Sequence, residues 1–302
     1  MIPQAKAKVL HEKNPGAFLD ENHKPEMAVA LTPFTALAGF RDPSQILAFA
    51  ERIEELSCVL GQETLELLRT EETAERKLAG CYQAVFRAGQ GKDFLPIQRK
   101  LVGREVSGLC WAEEEFRTLF ESFPGDPGCF APFLLNIYRL QPGEAIFLPA
   151  GEIHAYLSGD CVEVLSCGDN VLFCGLVHQE DISHFPPELT DPDILADIVN
   201  FSPNSEARVI EQLDSDNNLC LAPPVEEFKL IKIQVTIQYH ECIIVTMMGR
   251  SLLAAARPVF PCERRARCSW WRAAAGLSQR TAVRPSSIPA RPSSSPPGWG
   301  SG

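Results

Sequence analysis

The sequence predicts a mainly β protein, an antiparallel sandwich or barrel interrupted by a helical insertion. Three observations carry this. Across residues 133–165, short β-type runs alternate with turns at short, regular intervals. Residues 44–123 instead place their apolar side chains at helical spacing. Residues 228–247 return to strand alternation through Ile231, Ile233, Val235 and Ile237, a pattern with one wet face.

The elements follow in order. Residues 1–43 are mixed in character. Pro25 breaks any helix there, and the short apolar run 27–31 reads as a strand. Asp42-Pro43-Ser44-Gln45 combines an N-cap acceptor, proline at the first helical position and Gln at the third. Behind it, Ile46, Phe49, Ala50, Ile53 and Leu56 recur on one helical face. Further helices fit 60–90, around Leu65, Leu68 and Leu78, and 112–122. Pro124-Gly125-Asp126-Pro127-Gly128 ends the helical part. Strands are then expected at 133–140, 145–148, 153–157 and 161–165. The turns between them are Gln141-Pro142-Gly143, Pro149-Ala150-Gly151 and Ser158-Gly159-Asp160. Residues 1–43 and 124–200 therefore read as one β domain, 44–123 as a helical subdomain inserted into it, and 201–248 as a connection and the start of a second β unit. Residues 249–302, rich in Arg, Ser and Pro, read as a disordered tail that cannot build a core.

Charge supports the division. The 302 residues carry a formal net charge of −11, which argues against a nucleic-acid partner, and no apolar run is long enough to span a membrane. From residue 250 onward there are nine Arg, no Lys and one acid, Glu263, a local charge of +8 that leaves −19 on the rest. A change of sign at one point marks two segments with separate histories. None of the eleven Cys forms a CxxC pair, and residues 1–10 lack the apolar core of a signal peptide. Reduced thiols packed as small hydrophobes in a cytoplasmic protein are expected.

The sharpest local pattern is Pro142-Gly143, five residues, Pro149-Ala150-Gly151, two residues, then His154. Two tight turns bracket a short strand, and the next strand aims one imidazole into a barrel mouth, where it can act as a neutral metal ligand. This spacing resembles the second conserved box of the cupin jelly roll. The flanking segments ENHKPEMAVALTPFTALAGF (21–40) and HAYLSGDCVEVLSCGDN (154–170), with PPVEEFKL (223–230), resemble the type I mannose-6-phosphate isomerases over residues 1–248. A generic cupin shares the first box but not the HKPEMA and HAYLxGD segments.

The resemblance implies a cupin-type jelly roll and an enzyme, an intramolecular oxidoreductase that interconverts mannose 6-phosphate and fructose 6-phosphate with one zinc ion and supplies a precursor of GDP-mannose. It implies Glu26 and His154 as two of four zinc ligands. Lys24 is implied in the pocket against phosphate or sugar oxygens, and Glu163 and Asp169 as acids that position or move protons. A monomer acting on a small sugar phosphate, with no nucleic-acid or membrane partner, is expected. The sequence also departs from the family pattern. The Gln and His of its QxHP box are not found ahead of Leu10-His11, where Pro3 is the remnant of that box. Two ligands make a weak site unless His11 or His23 is recruited. Phe173 stands where the family has Arg, Gln179 where it has Lys, and the second β unit gives way to the tail. Low stability and little isomerase activity are therefore expected. The competing expectation is a non-catalytic member kept for sugar-phosphate binding or as an interaction module.

Overall fold

The computed structural model describes residues 2–87, 93–104, 110–178, 183–203, 211–213, 219–233, 242–247 and 250–255. At its centre two three-stranded antiparallel sheets face each other. One is ordered β4–β1–β6, from Ala145–Leu148, Glu26–Ala30 and Cys161–Leu165. The other is ordered β3–β2–β5, from Leu135–Leu140, Phe34–Phe40 and His154–Ser158. The two-residue period of a strand decides what each face touches. Along β1, Ala28 and Ala30 turn inward against Phe34, Ala36 and Ala38 of β2 and Ile146 and Leu148 of β4. Met27 and Val29 turn outward, with Phe147 and Val164, onto Leu221, Phe228 and Leu230 of a second β unit. On the other sheet the outward residues, Leu37 and Ile137 among them, pack on the helices. The result is a layered stack of helices, two inner sheets and an outer sheet.

The helical layer begins where expected. Asp42 caps α2 (Pro43–Arg52), its carboxylate accepting from the Ser44 amide at 2.8 Å. Ile53 separates α2 from α3 (Glu54–Arg69), which is itself broken at Gly61, where φ is 76°. Next come α4 (Ala74–Tyr82), a π-helical turn at Gln83–Arg87, α5 (Leu95–Val102) and α6 (Trp111–Ser122). Their buried faces form one core with Phe130, Phe133 and Leu134.

Several boundaries differ from expectation. The run 133–140 does not start as strand. Phe133 and Leu134 close a helical turn, α7 (Ala131–Leu134), whose side chains complete the helical core, and β3 begins at Leu135. Several elements had no expected counterpart, among them α1 (Gln4–Lys13) and β2. Helix α1 has a weak apolar stripe, and it is seated by Ile2 and Ala7 against Ala17, Phe18, Leu189 and Ile198. The last of these belongs to α8 (Pro192–Ile198), capped by Asp191. Strand β2 is assembled from small residues and carries a bulge at Gly39, whose φ of 61° bends the strand toward β3.

The second β unit is a five-stranded antiparallel sheet ordered β11–β10–β9–β8–β7, from Arg250–Ala255, Cys242–Met247, Phe228–Ile233, Leu219–Leu221 and Glu211–Leu213. The expected alternation at 228–247 thus spans two paired strands, the residues between them lying outside the described set. The expected tail start is corrected as well. Arg250–Ala255 pairs antiparallel with Cys242–Met247. The rest of the tail, 256–302, lies outside the described residues. Cys58, Cys81, Cys110, Cys129, Cys161, Cys167, Cys174 and Cys220 form no disulfide, and burial pushes the thiols of Cys81, Cys129 and Cys174 up to about 12, which keeps them protonated.

Candidate active site

Strand parity builds the site. Glu26 shares the inward face of β1 with Ala28, and Glu163 lies opposite Ala28 on β6. His154 opens β5 opposite Ala38 of the facing sheet, and Tyr156 follows on the same side. Methyl groups line much of the space between the sheets, so the longer polar side chains meet there. His154 Nε2 stands 3.4 Å from Glu26 Oε2, and Lys24 Nζ 3.6 Å from Glu26 Oε1. Tyr156 donates its hydroxyl to Glu163 Oε1 at 3.0 Å. Four of the five residues picked out by sequence, Lys24, Glu26, His154 and Glu163, are thus brought together.

The electrostatics separate the two carboxylates. Burial raises the pKa of Glu26, but the hydrogen bond and charge of His154, helped by Lys24, outweigh it and leave the group below its ordinary value. Burial and then the Glu26 charge push Glu163 upward. Burial, with both carboxylates behind it, holds the Tyr156 phenol well above its usual range. Two acids with opposite shifts in one space suit division into a fixed anion and a proton carrier. Tyr156 was not singled out by sequence. The signal was present, since it stands two residues after His154 and therefore on the same strand face.

Asp169 is placed differently. It is exposed, in the loop after β6, and its amide donates to Asp20 Oδ2 at 2.7 Å. Its neighbour Asn170 is buried and donates to the Asp20 carbonyl at 2.7 Å. This pair fastens the loop that leads to Lys24. Phe173 packs its ring 4.9 Å from Phe185 and against the α1 cluster, an apolar setting in which no anion would be held. Gln179 lies outside the described residues.

The donor set offers zinc two ligands, Glu26 and His154. His154 Nδ1 lies 2.9 Å from the Glu152 carbonyl, which can only accept, so Nδ1 carries a hydrogen. Nε2 then meets Glu26 as the second N–H of an imidazolium, or as a lone pair with a cation between them. Two ligand atoms about 2.1 Å from a tetrahedral ion stand roughly 3.4 Å apart, so the Glu26–His154 spacing suits two corners. No group of three His, Cys, Asp or Glu side chains is placed to hold a metal among the described residues. His11 and His23 do not fill the gap, because His11 Nδ1 binds the Phe18 carbonyl at 2.6 Å and His23 pairs with Glu227. These residues alone do not fit a closed zinc centre.

Two facing antiparallel sheets, a helical insertion and a Glu–His pair between the sheets define a cupin-type protein. The particular relationship comes from comparison with known proteins. Residues 2–43 match the family described as phosphomannose isomerase type I, catalytic domain. The chain is 33% identical to mannose-6-phosphate isomerase of Rattus norvegicus over 82% of its own length and 60% of that protein's. For the human protein the identity is 31% with the same coverage. A crystal structure of a phosphomannose isomerase variant from Salmonella typhimurium superposes with a TM-score of 0.64 at 25% identity, covering 78% of this chain and 59% of that one. The chain is similar to the mannose-6-phosphate isomerases and spans about 60% of the length of the rat and human proteins. A zinc-bound mannose 6-phosphate isomerase, at 24% identity and TM-score 0.64 over 84% of this chain and 67% of its own, shares the fold. Among the described residues, no helix is long and apolar enough to cross a membrane.

Proposed function

We propose that this chain is a cytoplasmic, monomeric sugar-phosphate isomerase that interconverts mannose 6-phosphate and fructose 6-phosphate, in the supply of GDP-mannose precursor, with low activity. The observation that carries the reading is the convergence of Lys24, Glu26, His154 and Glu163 in one space, on two boxes that match the family in order. Moving a proton between C1 and C2 of an opened sugar passes through an enediol whose oxygens gather negative charge. Lys24 places positive charge beside those oxygens, His154 sets a polar ring against Glu26, and Glu163, with its raised pKa and the Tyr156 hydroxyl on it, holds or returns the proton. Asp169 is assigned by the motif, at the exposed rim. The family's zinc would add charge at the same oxygens, but the present donors supply two of its corners. With Phe173 where the family's Arg, a planar cation able to hold an anion, would stand, the weak donor set accounts for low turnover.

Isotope exchange tests the chemistry even where net turnover is slow. The full chain with mannose 6-phosphate in D2O is expected to place deuterium at C2, followed by NMR, and Glu163→Gln to abolish it. Tight binding of the sugar phosphate without exchange would instead support the second reading, a non-catalytic sugar-phosphate-binding module. The seat of Phe173 in an apolar cluster favours that reading.

A further inference from the structure

The residue before Lys24 is tied down from three directions. The His23 amide donates to Gln4 Oε1 on α1 at 3.2 Å, and its carbonyl accepts from Ser166 Oγ beyond β6 at 2.8 Å. Its ring Nε2 pairs with the carboxylate of Glu227, one residue before β9. A carboxylate only accepts, so Nε2 carries the hydrogen. On the other side of Lys24, the Pro25 carbonyl accepts the Ser166 amide at 3.1 Å. Pro25 also confines the residue ahead of it to extended backbone. Lys24 therefore has a fixed neighbour on each side, and its side chain, 13% exposed, ends over Glu26. Gln4 and Ser166 belong to the β domain that already contains the site. Glu227 comes from the second β unit, whose Leu221, Phe228 and Leu230 pack on the outer face of β1, β4 and β6.

We propose that Glu227 is a positioning residue: it fixes His23 from the second β unit and through it holds the Lys24 ammonium in place for the phosphate or oxyanion of a hexose phosphate. The second β unit then completes the site, and a lysine ordered in advance loses less freedom when ligand binds. The link to ligand rests on the proposed function.

The test uses the full 302-residue chain as wild type, Glu227→Gln, His23→Gln and the double variant, with Glu226→Gln at the exposed neighbour as control. Two readouts are taken. Acylation of Lys24 by an amine-reactive ester is measured by mass spectrometry against exposed Lys100 of the helical subdomain, and mannose 6-phosphate affinity is measured by calorimetry. Each single variant is expected to raise Lys24 labelling roughly threefold and weaken affinity about tenfold, the double variant no further than either, since both cut one contact. Lys100 labelling and the Glu226→Gln control are expected to match wild type. Unchanged Lys24 labelling in Glu227→Gln overturns the proposal, as does an equal rise at Lys100, which would mean general loosening. Raised Lys24 labelling with unchanged affinity overturns the link to ligand. A wild-type chain with no measurable affinity overturns the functional reading alone, and the labelling still decides the positioning.

Discussion

Gly159 turns β5 into β6 at φ 93°, and a β-carbon there would be driven into the Pro33 carbonyl oxygen and to 2.8 Å from Phe34 Cα. Gly143 turns β3 into β4 at φ 95°, but a β-carbon there meets nothing within 4 Å. Both substitutions to Ala strain the backbone, and only the first also pushes two backbones apart. Gly143→Ala is expected to cost about 1 kcal/mol and Gly159→Ala roughly 2–4 kcal/mol in urea unfolding. Equal costs would show that the β5–β6 turn can shift away from Pro33. Glu163 offers a second residue-scale test. Its folded pKa lies above the ordinary 4.5, so the folded chain holds this proton more tightly than the unfolded one. Stability then falls as pH rises above about 4.5. Glu163→Gln removes the titration and keeps an acceptor for Tyr156. The variant is expected to match wild type at pH 4 and to exceed it at pH 7; lower stability at pH 7 would mean that the carboxylate is better compensated than its surroundings indicate. At this scale the site was legible where a residue sat inside a long motif, as Glu26, Lys24, His154 and Glu163 do. The His23–Glu227 pair was not, since 204 residues separate its partners.

At the scale of elements, local chemistry settled what packing did not need to decide. The Asp42 cap and Pro43 start a helix at the expected residue, and Asp42→Ala is expected to cost about 1 kcal/mol of stability. The hydrogen bonds from Ser44 lower the Asp42 pKa, so the cap's contribution is present above pH 3.8 and is lost as pH falls through the lower folded value. Melting of the variant and wild type at pH 7 and pH 2.5 checks both statements: a difference that persists unchanged at the lower pH contradicts them. Other elements depended on partners distant in sequence. Strand β2 is Ala-rich and carries Gly39, a poor strand by propensity. It exists because β3 and β5 pair with it on both sides and Phe34, Ala36 and Ala38 fit the space between the sheets. Helix α1 was hidden for a related reason, its apolar side being completed by Phe18 and by Leu189 and Ile198 far along the chain. Phe133 and Leu134 look like strand residues, yet the helical core claims them.

At the scale of the molecule, the opening charge of −11 averages two unlike parts. The layered stack, β11 apart, belongs to the acidic part. Within it the second β unit covers an apolar sheet face and reaches the site through Glu227. The central proposal is that this stack places the Lys24, Glu26, His154 and Glu163 cluster for isomerase chemistry, weakened by two changes, an incomplete donor set and Phe173. Phe173→Arg is not a simple rescue, because the ring is seated against Phe185 and the α1 cluster. The most direct measurement is the rate at which the purified 302-residue chain, supplied with zinc, forms fructose 6-phosphate from mannose 6-phosphate, with bound zinc counted in the same sample. The account predicts less than one zinc per chain and turnover below about 0.1 s⁻¹, against roughly 10 s⁻¹ for a median enzyme. One tightly held zinc per chain with turnover near the median would contradict it.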